Sequence, residues 1–208
     1  MTLIVVDQFR TTADAYAEVT DEHGEVTVQD YQKIQVLPRP IEFKDDFSFN
    51  TITFTGDAQA FWAFYEKLLE VMTTASFDER LLTVDDCMAV ARKIEAKSRT
   101  RVIVPCPSSV VVIEIHPRSP TAKHTPVKVH RQEGAVHAFG SDYDQPTDGE
   151  ECRAWFSIFI DAKRAGKLKG DKVHFMAHQS TMVKEDTVLP PSKAKKMKSR
   201  FPFRRRYA

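Results

Sequence analysis

The sequence is poor in the residues that build several common kinds of site. Its three cysteines, Cys87, Cys106 and Cys152, are widely separated and form no CxxC. That excludes a disulfide framework or a cysteine-based zinc site and fits reduced thiols in a core. Glycine is scarce too, at seven residues, with neither GxxxxGK nor GxGxxG, so nucleotide-cradling loops have no support. The seven histidines show no HExxH or HxxEH spacing; His137 and His174 fall on expected strands, where core or surface roles suit them better than metal ligation. No metal or cofactor is expected. No apolar run approaches the length of a bilayer span, and residues 1–6 are too short for a signal peptide. The expectation is a cytoplasmic protein with no membrane contact.

What is present is ordinary for a globular chain: 208 residues, 42% apolar and 28% charged. This length accommodates one domain, expected over residues 1–178, and a tail over 179–208. The net charge of +1 hides an asymmetry. Lys193, Lys195, Lys196, Lys198, Arg200, Arg204, Arg205 and Arg206 carry eight positive charges with no acid among them; removing these from +1 leaves the first 192 residues at −7. Such a tail cannot bury enough apolar surface to fold alone. It suits an acidic protein partner, nucleic acid phosphates or the acidic body itself.

The centre of organisation is residues 51–69, TITFTGDAQAFWAFYEKLL. Ile52 and Phe54 alternate with threonines as in a strand, Gly56-Asp57 turns the chain, and Phe61, Trp62, Phe64, Tyr65, Leu68 and Leu69 recur at helical spacing. Gly56 lets the backbone pass close to a neighbour and leads into a helix N-terminus with free N–H groups. Strands are also expected over 2–8, 15–20, 25–29, 33–37, 101–104, 109–115, 126–131, 136–139 and 172–176. Thr83 with Asp86 starts a second helix, and Thr147 with Glu150 a third. Strands, two helices, strands, a long helix and a strand do not alternate as in a parallel α/β fold; they suggest stacked antiparallel sheets with helices outside.

In serial order, four segments resemble the proteasome β-subunit family, including its simple bacterial and phage-encoded members. VVDQFRTTADAY is similar to that family's AAD-S-R-T-T-A segment, and KIQVL to the strand bearing its catalytic lysine. FTGDAQAFWAFYEKLL resembles its glycine turn and first helix, and AFGSDYDQ the glycine-serine motif before its long helix. The resemblance implies an α+β fold, the four-layer αββα sandwich of the N-terminal-nucleophile hydrolases, that assembles into a dimer or ring. It also implies site roles. Loss of Met1 would expose Thr2, whose hydroxyl is the nucleophile and whose α-amine is the base. Lys33 would hold a positive charge beside it, the Gly56 N–H would stabilise an oxyanion, and Ser141 and Asp161 would orient the amine.

Two alignments of the N-terminus remain open. If residues 2–8 are the first strand, Thr2 stands at the nucleophile position and the family aspartate falls at Glu18 or Asp21. If VVDQFRTT is the second strand, Asp7 takes the aspartate role and the nucleophile strand is missing. The segment after Asp161, Lys163-Arg164-Ala165-Gly166-Lys167, lacks the family's Ser-Gly-Gly turn, and Gly140-Ser141-Asp142 lacks a second glycine. The alternation of Ile34 and Val36 places Lys33 on the outward face of its strand. These departures lead to a non-catalytic binding or assembly module as the first functional reading, with an N-terminal threonine peptidase as the second.

Overall fold

The computed structural model describes residues 2–20, 23, 25–44, 46–134, 136–140, 155–168 and 170–188. The N-terminal half contains β1 (Leu3–Asp7), β2 (Arg10–Asp14), β3 (Tyr16–Thr20), β4 (Val26–Asp30), β5 (Ile34–Val36), β6 (Ile41–Phe43), β7 (Asp46–Phe47), β8 (Thr51–Thr55) and α1 (Ala58–Phe77). Then come β9 (Leu82–Thr83), α2 (Val84–Ala91), β10 (Thr100–Pro105), β11 (Ser109–Ile115), β12 (Val127–Glu133), β13 (Val136–Gly140), α3 (Trp155–Arg164), β14 (Lys172–Ala177) and β15 (Lys184–Thr187).

Two five-stranded sheets dominate, ordered β13-β1-β2-β14-β15 and β12-β11-β10-β8-β5, and every pairing within them is antiparallel. They meet through Ile4, Val6, Ala13 and Met176 from one sheet and Ile34, Ile103, Val110 and Val112 from the other. β11 is buried at every position, because Val110 and Val112 face the opposite sheet while Val111, Ile113 and Ile115 face α1 and α2. A strand covered on both sides reads as a continuous apolar run. α1 buries Phe61, Phe64, Leu68, Met72 and Ala75 at helical spacing, with Phe61 stacked on Phe54 at 4.1 Å. Asp57 caps it by accepting from the Gln59 and Ala60 N–H groups, and Thr83 and Asp86 form a capping box for α2. α3 lies over the outer side of the first sheet, through Phe159 and Ala162.

This is not the four-layer αββα sandwich expected from the sequence. Among the described residues strand accounts for 42% and helix for 22%. The first sheet carries only the ten-residue α3 there, and two small sheets, β3-β4 and β7-β6-β9, stand apart from the main pair. The difference arises in polar segments such as Arg10–Asp14 and Lys184–Thr187, which are strands without an apolar alternation to announce them. Pairing of β15 with β14 and burial of Val188 carry the sheet past residue 178. The third helix's expected start at Thr147 lies outside the described residues.

Gly56 is where the fold is least tolerant. Its φ is +103°, and a Cβ there would sit 2.3 Å from the Arg99 carbonyl oxygen and 2.9 Å from the Thr100 Cα. Gly166 has φ +70° but open space around it. Gly56→Ala is therefore expected to cost well over the roughly 1 kcal/mol of a left-handed alanine, and Gly166→Ala about that amount. Urea denaturation of both variants checks this; equal costs would mean that Gly56 has room.

At the hairpin end of the first sheet, His178 is buried. It stacks on Phe49 at 4.1 Å, and its Nε2 lies 3.2 Å from the Thr11 hydroxyl. Burial pushes its pKa down from 6.5 to about 4. The unfolded chain thus binds the proton more readily than the native one. His178's contribution to stability is intact above about pH 6.5 and is lost as pH falls towards 4, by up to about 3 kcal/mol. His178→Phe should flatten the acid limb of a stability–pH curve; an unchanged limb would assign the loss to other groups.

Candidate active-site cleft

The β1–β2 hairpin folds Asp14 back beside the start of β1, with Ile4 opposite Ala13. One Asp14 oxygen accepts the Leu3 N–H at 2.7 Å, and the other accepts from the Lys33 ammonium at 2.7 Å. The same ammonium donates to the Tyr16 carbonyl. Asp14 and Lys33 are buried, at 3% and 2% exposure. Burial pushes the Lys33 pKa below its usual 10.5, and the attraction of Asp14 opposes that shift without overcoming it. A charge this deep stays only with its bonds satisfied.

Lys33 brings this pair to the wall of a cleft of about 250 Å³, lined by Thr2, Tyr16, Ala17, Tyr31, Lys33, Phe54, Gly56 and Ala58. The cleft therefore has a threonine hydroxyl at the head of β1, a buried ammonium, and the glycine backbone that leads into α1. Its aromatic wall is braced from behind: the Trp62 indole N–H donates to the Tyr31 hydroxyl, and Tyr31 meets Phe54 edge-on. Burial raises the Tyr31 pKa, so this phenol stays protonated.

Of the residues singled out in the sequence, the structure brings Thr2, Lys33 and Gly56 together. β1 begins directly after Thr2, and VVDQFRTT is not a single strand: it runs from the end of β1 through a turn into the start of β2. Lys33 does not face outward as the alternation suggested; it precedes β5 and turns inward to Asp14. Asp7 is not the acid of the cleft. It closes the turn at the far end of β1, where its carboxylate accepts the Phe9 and Arg10 N–H groups. The acid beside Lys33 is Asp14; Asp21 lies outside the described residues. Asp161 lies on α3 with its side chain about half exposed, 3.6 Å from Arg164. Ser141 and the basic tail from Lys193 to Arg206 lie outside the described residues. Among the described residues no group of histidine, cysteine and acidic side chains is disposed to hold a metal ion.

Asp14 carried a signal that the sequence offered and motif reading passed over. It ends a run of threonines and alanine too short of charge for a surface strand, and an acid in such a run needs a buried cation. Lys33, in an apolar segment, is the matching half.

No family profile and no curated protein sequence matches the chain. Solved structures do. A mutant of Anbu from Hyphomicrobium sp. strain MC1 is similar with a TM-score of 0.50 and 12% identity, over 90% of this chain and 87% of that one. HslV from Trypanosoma brucei is similar with a TM-score of 0.38 and 14% identity, over 85% of this chain and 98% of that one. The likeness to Anbu supports a proteasome-like fold in a coarse sense; at this identity it is a statement about fold alone.

Proposed function

We propose that the chain is an N-terminal-nucleophile amide hydrolase whose nucleophile is Thr2. The observation that carries this reading is the Asp14 carboxylate, which ties the residue after Thr2 to the Lys33 ammonium inside the cleft that Gly56 also lines. With Met1 removed, the Thr2 α-amine takes the hydroxyl proton as Oγ1 bonds to the substrate carbonyl carbon. The Gly56 N–H is the donor to the oxyanion. The C–N bond then breaks, the leaving amine takes the proton from the α-amine, and water hydrolyses the ester to restore Thr2. Lys33 favours the alkoxide by its charge, and Asp14 holds Lys33 in place.

A second reading, a non-catalytic binding or assembly module of the same fold, is favoured by the half-exposed position of Asp161 on α3. Self-association accords with either reading.

The test is the intact mass of the untagged protein before and after a peptide epoxyketone, which closes a ring on both Oγ1 and the α-nitrogen of an N-terminal threonine. Loss of Met1 with one adduct, absent from Thr2→Ala, is the expected result. Retained Met1, or a free Thr2 that stays unmodified, would leave the second reading in possession.

A further inference from the structure

One edge of the second sheet has the features of a binding site that the cleft does not use. β12 is the terminal strand there. Bonds from the His116 N–H to the Pro126 carbonyl at 3.0 Å and from the Gly134 N–H to the Ser108 carbonyl at 3.5 Å bracket its ladder with β11. Backbone groups alternate sides along an antiparallel strand. Residues 128, 130 and 132 therefore bond to β11, while Val127, Val129 and Arg131 turn their N–H and C=O groups outward. Among the described residues no strand pairs with them.

A groove of about 630 Å³ runs beside this edge, between the end of α2 and the start of β12. Ala89, Pro126 and Val127 contribute its apolar lining, and Arg92, Lys93 and His124 its basic groups. Lys128 stands on the other face of the same strand. All four basic residues are exposed, and none makes an ion pair or side-chain hydrogen bond among the described residues. Arg99 and Arg101 differ, since both pair with the buried Glu114. On a body that carries −7 over its first 192 residues with histidine neutral, three unpaired cations, Arg92, Lys93 and Lys128, gather with His124 around one open strand edge.

We propose that the β12 edge and the groove beside it bind an extended acidic segment of a partner protein, added to the sheet as a further strand. The outward backbone groups recur every second residue, about 6.8 Å apart, which is the repeat of an extended polypeptide. Apolar side chains of such a segment meet Ala89, Pro126 and Val127, and acidic ones meet Arg92, Lys93 and His124. Among the described residues no Phe, Tyr or Trp lines the groove to stack a base, and the chain's own tail has the wrong charge.

The experiment uses the full chain and a fluorescein-labelled peptide of alternating glutamate and valine, followed by anisotropy. Saturable binding is expected, roughly tenfold weaker in the Arg92→Glu/Lys93→Glu double variant and weakened again by added salt. Val129→Pro, which removes an outward N–H without touching the ladder to β11, should weaken it too. Circular dichroism identifies any variant that fails to fold; the exposed Arg92/Lys93 pair keeps the test open if Val129→Pro does. Several results would overturn the proposal: no binding, equal binding of a lysine–valine peptide, or indifference to Arg92→Glu/Lys93→Glu. Displacement of the peptide by oligothymidylate would reassign the edge to nucleic acid. Self-association that covers the edge and disappears in Val129→Pro would reassign it to a second copy of the chain.

Discussion

Asp14→Ala is expected to destabilise the protein by about 3–5 kcal/mol, the cost of leaving a buried charge without its partner. Lys33 is 2% exposed, and without Asp14 its ammonium keeps only the Tyr16 carbonyl as an acceptor. The Leu3 N–H loses its acceptor as well. The penalty has a pH signature whose sign follows from the Lys33 shift. Burial already holds the native Lys33 pKa below 10.5. With the attraction of Asp14 removed it falls further, and the unfolded chain then binds more protons than the native one up to pH 10.5. Asp14→Ala should therefore gain stability as pH rises towards 10.5 and lose it as pH falls. Asp14→Leu/Lys33→Met removes both charges and should recover most of the loss, since an apolar replacement of a buried pair is often neutral or better. Urea denaturation of the single and double variants gives the coupling directly. A cost below about 1 kcal/mol for Asp14→Ala would mean that water reaches the pair, as at a surface bridge.

Much of the frame around the cleft was legible because it rests on strong local patterns. The α1 stripe, the Asp57 turn before it and the unbroken apolar run of β11 each have one reading. The Thr83–Asp86 capping box is likewise local chemistry. β2 was not legible as a strand. In Arg10–Asp14 the residues at 0% exposure include Thr11 and Thr12, so burial there is not written in hydrophobicity. β15, Lys184–Thr187, is exposed throughout and held by its pairing with β14 and by Glu185 beside Lys172. The misplacement of Lys33 has a similar cause. Alternation governs residues within a strand, and Lys33 stands one residue before β5, where the backbone is free to turn it inward. Asp14 was passed over because sequence similarity does not show where a hairpin reverses; the register of β1 with β2 leaves Asp7 at the turn and returns Asp14 to the Leu3 N–H.

Thr2→Ala should abolish epoxyketone labelling completely, Thr2→Ser should retain it, and Lys33→Met should slow it by about a hundredfold or more. The first two results separate the hydroxyl from the position: serine keeps Oγ and the α-amine, whereas alanine keeps the amine alone. The third tests the electrostatic part. An alkoxide forming at Thr2 is stabilised by a nearby positive charge, and a positioned group of this kind contributes about 10²–10⁴ in rate. Lys33→Met preserves the volume of the side chain, so slower labelling with an unchanged circular dichroism spectrum is attributable to the charge. It also leaves Asp14 without its cation, so Asp14→Leu/Lys33→Met, which relieves that strain, should label as slowly as Lys33→Met alone. Recovery of the rate in the double variant would make Lys33 a structural counter-ion of Asp14 with no part in the chemistry. A persistent loss would place its charge beside the Thr2 oxygen in the reacting state.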